Sequence, residues 1–569
     1  MTVRTRILAT LASVLVVAVA GCGAPPAKTA SPEARQVPLS ALPVVDTAAV
    51  LAHTKVLSSD AFEGRGPGTA GEVKTVTYLV EQLTQMGLKP GNPDGTFVQK
   101  VPLVGITPTP ANLTLRKGSH TLTATWKTDV VAWSKRVTDE ARLSDSEVVF
   151  VGYGVQAPEF GWDDFKGLDV KGKTLLMLVN DPPVPEGAHP EVLDATVFGG
   201  SAMTYYGRWT YKYEMGAKLG AAAVLLIHET EPAGYGFNVV QQKTGEQFDL
   251  VTPDRNMGRP AIEGWVSREH ATKLLALAGQ NLDALKAKAA TRAFTPVPLG
   301  VSASITLRNA LRTIDSQNVV ARLEGRDPAL RDEHVIYTAH WDHFGVGAPV
   351  NGDAIYHGAK DNASGTAGIL EIARAFTKLP APPRRSILFL FVTAEEQGLL
   401  GSQYYAVTPL YPLAKALANI NIDGLNVNGR TRDLVLIGLG ASDLDDYART
   451  AAAEQGRVIT PDAEPEKGFY YRSDHFNFAK QGVPALDPDE GTDFIGQPPE
   501  FSRRVRDVYT SQHYHQPSDI VRPDWNLDGA GEDLRLFLAV GYRVAEAARI
   551  PEWKTGNEFK ATRDRMLGR

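Results

Sequence analysis

Residues 386–396 read Ser-Ile-Leu-Phe-Leu-Phe-Val-Thr-Ala-Glu-Glu. The apolar run from Ile387 to Val392 is too short for a helix and shows no alternation. Such a run suits a strand covered on both faces, as in a parallel sheet with helices on either side. Two adjacent carboxylates, Glu395 and Glu396, stand just past its carboxyl end.

The flanking segments repeat the pattern. Val335-Ile-Tyr-Thr-Ala-His340 reads as a second strand. Thr366 to Leu379 reads as a helix, with apolar Ile369, Leu370, Ile372, Ala373 and Phe376. Asn419-Ile-Asn-Ile-Asp423 reads as a shorter strand. This alternation predicts an α/β fold: a mixed, mostly parallel sheet with helices on both faces. Upstream, Asp46 to Met86 is largely helical, broken by the Gly-rich turn Phe62–Gly68, and Val101 to Ser134 alternates as strands do.

Polar groups gather where these strands end. His340 and Asp342 follow the first, Glu395 and Glu396 the second, and Asp423 the third. Asp361 lies in a loop leading into a helix, and His515 lies far downstream in His513-Tyr-His-Gln-Pro-Ser-Asp519. Loops at the carboxyl ends of strands in an open α/β sheet converge on one crevice. Carboxylates and imidazoles gathered there repel or stay unsatisfied unless a cation holds them. Imidazole and carboxylate without thiolate suit zinc, with manganese or cobalt as other divalent candidates. A further carboxylate beside the ion can act as general base.

Five motifs in this order resemble the co-catalytic di-zinc aminopeptidase family. They are Ala339-His-Trp-Asp-His343, Asp361-Asn-Ala-Ser-Gly365, Ala394-Glu-Glu-Gln-Gly398, Asn421-Ile-Asp-Gly424, and Tyr514-His515 with Pro517-Ser-Asp519. The family includes secreted bacterial aminopeptidases and glutamate carboxypeptidase relatives. The resemblance implies two zinc ions per chain. His340 and Asp423 would hold one, Glu396 and His515 the other, with Asp361 bridging. Glu395 would be the general base, Asp342 would hydrogen-bond the His340 ring, and Tyr514 would donate to the developing oxyanion. His513 competes with His515, but the Tyr-His-x-Pro-x-Asp context favours His515. Arg472 and His475, in Arg472-Ser-Asp-His475, fall in a segment similar to the family's substrate-side loop and are assigned to substrate binding. Lys360 and His357 depart from the residues commoner in the family at their positions.

The implied activity is zinc-dependent removal of N-terminal residues from extracytoplasmic peptides. A carboxypeptidase or dipeptidase on the same scaffold is the alternative, since the charges of the pocket, not the metals, decide which terminus is read. A non-catalytic peptide-binding relative is the alternative of another class.

Composition agrees with a folded, exported body. The chain has 569 residues, with hydrophobic content of 43% and charged content of 22%, close to a globular average. Lys and Arg total 59 against 65 for Asp and Glu, a net charge of −6, which argues against a nucleic-acid binder. Arg4 and Arg6 precede an apolar run from Ile7 to Ala20, short of the roughly 20 residues that span a bilayer, so it reads as a signal-peptide core. Val19-Ala20-Gly21-Cys22 resembles a bacterial lipobox, and Cys22 is the chain's single cysteine. The expectation is an exported cell-envelope lipoprotein, membrane-anchored through Cys22, with peptides as its partners.

The domains expected are a signal peptide (1–22), a tether (23–42), the N-terminal part of a peptidase (43–144), an insert (145–300), the catalytic region (301–550) and a charged, exposed tail (551–569). The insert resembles the β-rich protease-associated domain, through Gly161-Trp-Asp-Asp-Phe165, Asp169-Val-Lys-Gly-Lys173 and Gly216-Ala-Lys-Leu-Gly-Ala-Ala-Ala-Val224. Other chemistries fail on context. There is no Gly-x-Ser-x-Gly elbow. Gly167–Thr174 spells a phosphate loop but runs into a strand, and Gly66–Gly71 spells a dinucleotide fingerprint with no strand before it.

Overall fold

The structure is a computed structural model that describes residues 37–187, 189–242 and 245–569. The lipobox, Cys22 and most of the tether lie outside the described residues.

Six strands carry the site. They are β1 (Val98–Pro108), β2 (Val297–Leu323), β3 (His334–His340), β4 (Ser386–Val392), β5 (Ala416–Asn421) and β6 (Ala485–Asp489). Their order across the sheet is β1-β2-β4-β3-β5-β6. The first two pairings are antiparallel and the remaining three parallel. Every residue of β3, β4 and β5 is buried.

The period-2 geometry of a strand explains how one apolar run serves two faces. Ile387, Phe389 and Phe391 of β4 join a core with α-helical residues, while Leu388, Leu390 and Val392 join another with Tyr405, Phe478 and Val483. Truncating one such phenylalanine to alanine costs about 3–5 kcal/mol.

The helices that matter are α1 (Thr47–Leu57), α2 (Ala70–Gln85), α3 (Gly365–Thr377), α4 (Phe501–Gln512), α5 (Asp528–Glu546) and α6 (Lys560–Met566). Helix α3 packs against β3, α1 and α5. That sandwich accounts for its near-complete burial and for apolar residues on all sides. Helix α4 is amphipathic but largely exposed, with only Ser502 buried.

A second hydrophobic core, separate from that of the catalytic sheet, is built from residues 113–307. Strands at 148–150, 174–178, 223–228 and 262–267 pair in parallel there, and 130–133 adds antiparallel to the last. Helices Trp209–Lys218 and Arg268–Leu277 accompany them, so the segment read as β-rich is itself α/β. Strand β2 runs through both sheets, pairing first with 140–150 and then with β1 and β4.

The C-terminal tail departs from expectation. Trp553, Phe559 and Arg563 are buried. The Arg563 guanidinium donates to the Ala416 carbonyl at 3.0 Å, and the Trp553 indole to that of Gly482 at 2.9 Å. The charges that suggested an exposed end cover only its outer face.

Candidate metal centre

Each site residue is delivered by a strand end. Strand β3 closes on His340, whose ring is buried. After β4 the chain turns at Ala394, a non-glycine residue at φ +52°, in the left-handed region that costs roughly 1–2 kcal/mol. That turn stops the strand and brings Glu395 and Glu396 into the crevice. Asp423 follows β5, and Asp361 lies in the loop before α3.

The side chains meet as two groups sharing one member. His340 Nε2 is 3.1 Å from Asp423 Oδ1 and 3.3 Å from Asp361 Oδ1. His515 Nε2 is 3.3 Å from Asp361 Oδ2 and 3.1 Å from Glu396 Oε2. The two oxygens of Asp361 therefore face two different imidazoles. Glu395 Oε2 stands 3.9 Å from His340 Nε2. Ligand atoms of His340, Asp361 and Glu396 all lie within 4.8 Å of one another.

Outer contacts hold these groups. The Asp519 carboxylate accepts the main-chain N–H of Lys360 and of Asp361 at 3.1 Å, fixing the loop. The Asn362 side-chain oxygen accepts from Gly365 and Gly424, both at 2.9 Å, tying that loop to the segment after β5. Ser473 Oγ donates to Asp423 Oδ2 at 2.5 Å. Arg65 is fully buried and donates to the carbonyls of Leu57, Trp341, His357 and Gly358 at 2.7–2.8 Å. Ser402 donates to Asp474 Oδ1 at 2.6 Å, and Asp474 Oδ2 is buried without a partner.

The electrostatics report crowding. Burial works against the charged His340 ring, yet Asp423, Glu395 and Asp361 carry it well above the ordinary imidazole value. Burial likewise opposes charge on His515, but Glu396 and Asp361 raise it to about 10. Glu395 is pushed well above the usual carboxylate range by burial and by Asp423, Glu396 and Asp474, against the pull of His340. Asp361 is held well below that range despite burial, chiefly by His340 and His515.

The donor set fits a divalent cation. His515 Nε2 is buried without an aligned hydrogen-bond partner. Ligands about 2.0 Å from a tetrahedral ion sit roughly 3.3 Å from one another, which matches the nitrogen–oxygen separations above. Oxygen and imidazole donors without sulfur suit zinc, as well as manganese or cobalt.

The remaining expected residues are placed as follows. Tyr514 stacks on the His515 ring at 3.7 Å and is exposed. Asp342 does not orient His340 as expected. Its carbonyl, not its carboxylate, is nearer to Nδ1, at 3.2 Å against 3.7 Å. Two residues along the chain, the carbonyl comes within reach first, and the carboxylate instead accepts the Glu395 main-chain N–H at 3.1 Å. His475 is not a pocket residue. The helix His475–Lys480 turns it fully inward, edge-on to Tyr470 and 3.4 Å from Asp487, and burial lowers it to about 3. Arg472 is exposed and lies over the Phe469 ring at 5.5 Å. His513 is tied to Ser518 at 3.1 Å, outside the cluster. Lys360 turns toward Glu490 at 3.4 Å and the Tyr509 ring at 4.7 Å. His357 bonds the Ser58 carbonyl at 3.0 Å.

Residues 318–537, which span β3 to α5 and every member of the cluster, match the sequence profile of Peptidase family M28. The chain carries a Peptidase family M28 domain. Among curated relatives of the M28 domain, aminopeptidase NAALADL1 of Mus musculus is 36% identical over 132 residues, covering 22% of this chain and 16% of that protein. Leucine aminopeptidase 2 of Trichophyton equinum is 27% identical over 248 residues, covering 41% of this chain and 45% of that protein. The chain thus spans less than half the length of either relative. Similar solved structures include an aminopeptidase from Aneurinibacillus sp. strain AM-1, with TM-score 0.48 and 18% identity over 89% of this chain and 95% of that one. A zinc aminopeptidase from Bacillus subtilis gives TM-score 0.41 and 19% identity over 91% of this chain and 97% of that one.

Sequence reasoning missed Arg65, His343, Asp474 and Asp519 as parts of the centre. The signal for Asp519 was present in the motif that selected His515. His343 closes the motif Ala339-His-Trp-Asp-His343 but was given no role there, and Arg65 carried no signal beyond its place in a Gly-rich turn.

Proposed function

We propose that the protein is a zinc-dependent aminopeptidase that releases N-terminal residues from peptides outside the cytoplasm. The observation that carries this is Asp361, with one carboxylate oxygen on the His340 and Asp423 side and the other on the His515 and Glu396 side. His340, Asp361, Glu396, Asp423 and His515 would be the residues that hold zinc there. The ions' chemistry is to polarise a peptide carbonyl and to make water more acidic.

The chain's own groups do the rest. Glu395, at the crevice wall, takes the proton from the attacking water and returns it to the leaving amine. Asp342 fixes the Glu395 main chain through their 3.1 Å hydrogen bond. The Tyr514 hydroxyl, on a ring braced against His515, donates to the carbonyl oxygen as it gains charge. The name of the Trichophyton relative supports N-terminal leucine as the first substrate to try.

A second reading, cleavage of substrates with a free carboxyl end, is favoured by one observation. Arg208 lies close enough to Arg472 to be depressed by it, after burial, to about 10, and its Nε is buried without a partner. A cationic pair of that kind suits a carboxylate.

The test compares leucine p-nitroanilide, N-acetylated peptides and free dipeptides, with chelator and with zinc restored. Turnover of free-amine substrates that follows zinc supports the aminopeptidase. Trimming of blocked peptides from the carboxyl end would replace it by the second reading. Among the described residues, no helix is long and apolar enough to cross a membrane. The sequence around Cys22 supports a lipid-anchored, exported protein, so Cys22→Ser should abolish palmitate labelling and release the enzyme from membranes.

A further inference from the structure

Glu396 has two oxygens and two imidazole neighbours. Oε2 lies 3.1 Å from His515 Nε2, on the Asp361 side. Oε1 lies 2.6 Å from Nδ1 of His343. His343 is fully buried, and neither of its ring nitrogens has an aligned hydrogen-bond partner. A buried imidazole in that state needs a reason, because unpaired polar atoms are costly inside a protein.

The ring is seated by the backbone. A Cβ at Gly358 would stand 2.5 Å from His343 Cγ and 2.7 Å from Cδ2, so only glycine leaves room for it. Gly358 itself, at φ +52°, has its carbonyl held by Arg65 at 2.8 Å. The His343 main-chain N–H donates to the Arg65 carbonyl at 3.3 Å. Phe344 closes one side, its ring centroid 5.0 Å from that of His343 and its plane nearly perpendicular. These contacts leave the ring little freedom to leave Glu396.

We propose that His343 is a positioning residue for the metal centre. It draws off Glu396 Oε1, so that Glu396 offers only Oε2 to an ion shared with His515 and Asp361. The inference rests on the metal-centre reading given above. A carboxylate that binds through both oxygens fills two coordination positions, whereas one that binds through a single oxygen leaves a position for water or substrate. Groups that orient a metal ligand in this way typically change metal affinity or activity by 10–100-fold when removed.

The experiment uses the full chain, stripped of metal and titrated with zinc against a chromophoric chelator. His343→Asn keeps an N–H donor near the Nδ1 position, and His343→Leu removes it while filling the space. The wild type and His343→Asn should bind zinc alike, and His343→Leu should lose 10–100-fold in affinity at one site. Cobalt-loaded protein gives a second readout, since a change from one-oxygen to two-oxygen binding raises the coordination number and weakens the visible absorption. Thermal unfolding of the metal-free proteins reports on folding alone. Wild-type affinity and an unchanged cobalt spectrum in His343→Leu would overturn the proposal. Equal impairment of His343→Asn and His343→Leu would also overturn it, by assigning the effect to packing. Failure of the wild type itself to bind zinc would instead refute the metal-centre reading.

Discussion

Arg65 offers the sharpest test of how the centre is held together. Its guanidinium donates four hydrogen bonds, all to main-chain carbonyls: Leu57 in α1, Trp341 after β3, and His357 and Gly358 before the Asp361 loop. Burial lowers its pKa only to about 10, so it stays charged at neutral pH. The Arg65→Met substitution keeps much of the volume and loses all four bonds. Each is worth about 1 kcal/mol net once exchange with water is counted, so the loss is about 4 kcal/mol. For a chain of this size the midpoint of thermal unfolding should fall by ~4 °C. Arg65→Lys, with a charge but no fork, should fall about halfway. The assay is thermal and urea unfolding of the metal-free protein, so that zinc does not mask the change. A loss under about 1 kcal/mol for Arg65→Met, or a lysine variant as stable as wild type, would refute the reasoning.

Other expectations follow from the same contacts. Glu395→Gln should lower kcat by about 10²–10⁴-fold with little change in zinc affinity, and a matching loss of zinc would deny it the role of base. Glu72 is buried beside Ser316 and the Gly68 main chain, and burial raises it to about 7. Its native pKa exceeds the unfolded one, so the folded protein holds the extra proton. The associated stability is present below about pH 4.5 and is lost as pH rises through 7, at most ~3 kcal/mol. Glu72→Gln should flatten that decline in urea midpoints measured from pH 5 to 8, and an unchanged slope counts against it. Deleting residues 551–569 should destabilise the catalytic sheet, because Arg563 and Trp553 leave the carbonyls of Ala416 and Gly482 unpaired. Unfolding midpoints within error of wild type would show the tail to be dispensable.

The centre of the sheet was legible because β3, β4 and β5 are short, apolar and polar-ended. Ile387–Val392 could only be a doubly covered strand, and the acids and imidazoles at the strand ends lie in one crevice for topological reasons. Less legible were contacts that depend on how distant loops return. Arg65 meets Trp341 and Gly358 across more than 270 residues, and no local pattern marks such a pairing. His475 looked like a pocket residue because Arg472-Ser-Asp-His475 resembles the family's substrate-side loop, but it opens a helix that buries its ring against Tyr470. The tail misled because charge density says nothing about the few aromatic and arginine side chains that anchor it.

Strand β2 has a consequence for how the chain is made. The segments 98–108 and 140–150 both find their long antiparallel partner only in residues 297–323. During synthesis at about 5–20 residues per second, the nearer of them waits roughly 7–30 s for that partner to emerge. Until then each has only its shorter pairings, 103–106 with 247–250 and 148–150 with 174–176, and the rest of its edge is open to mispairing with other chains. A polypeptide organised in this way completes both sheets late, only once residues 297–323 have been delivered.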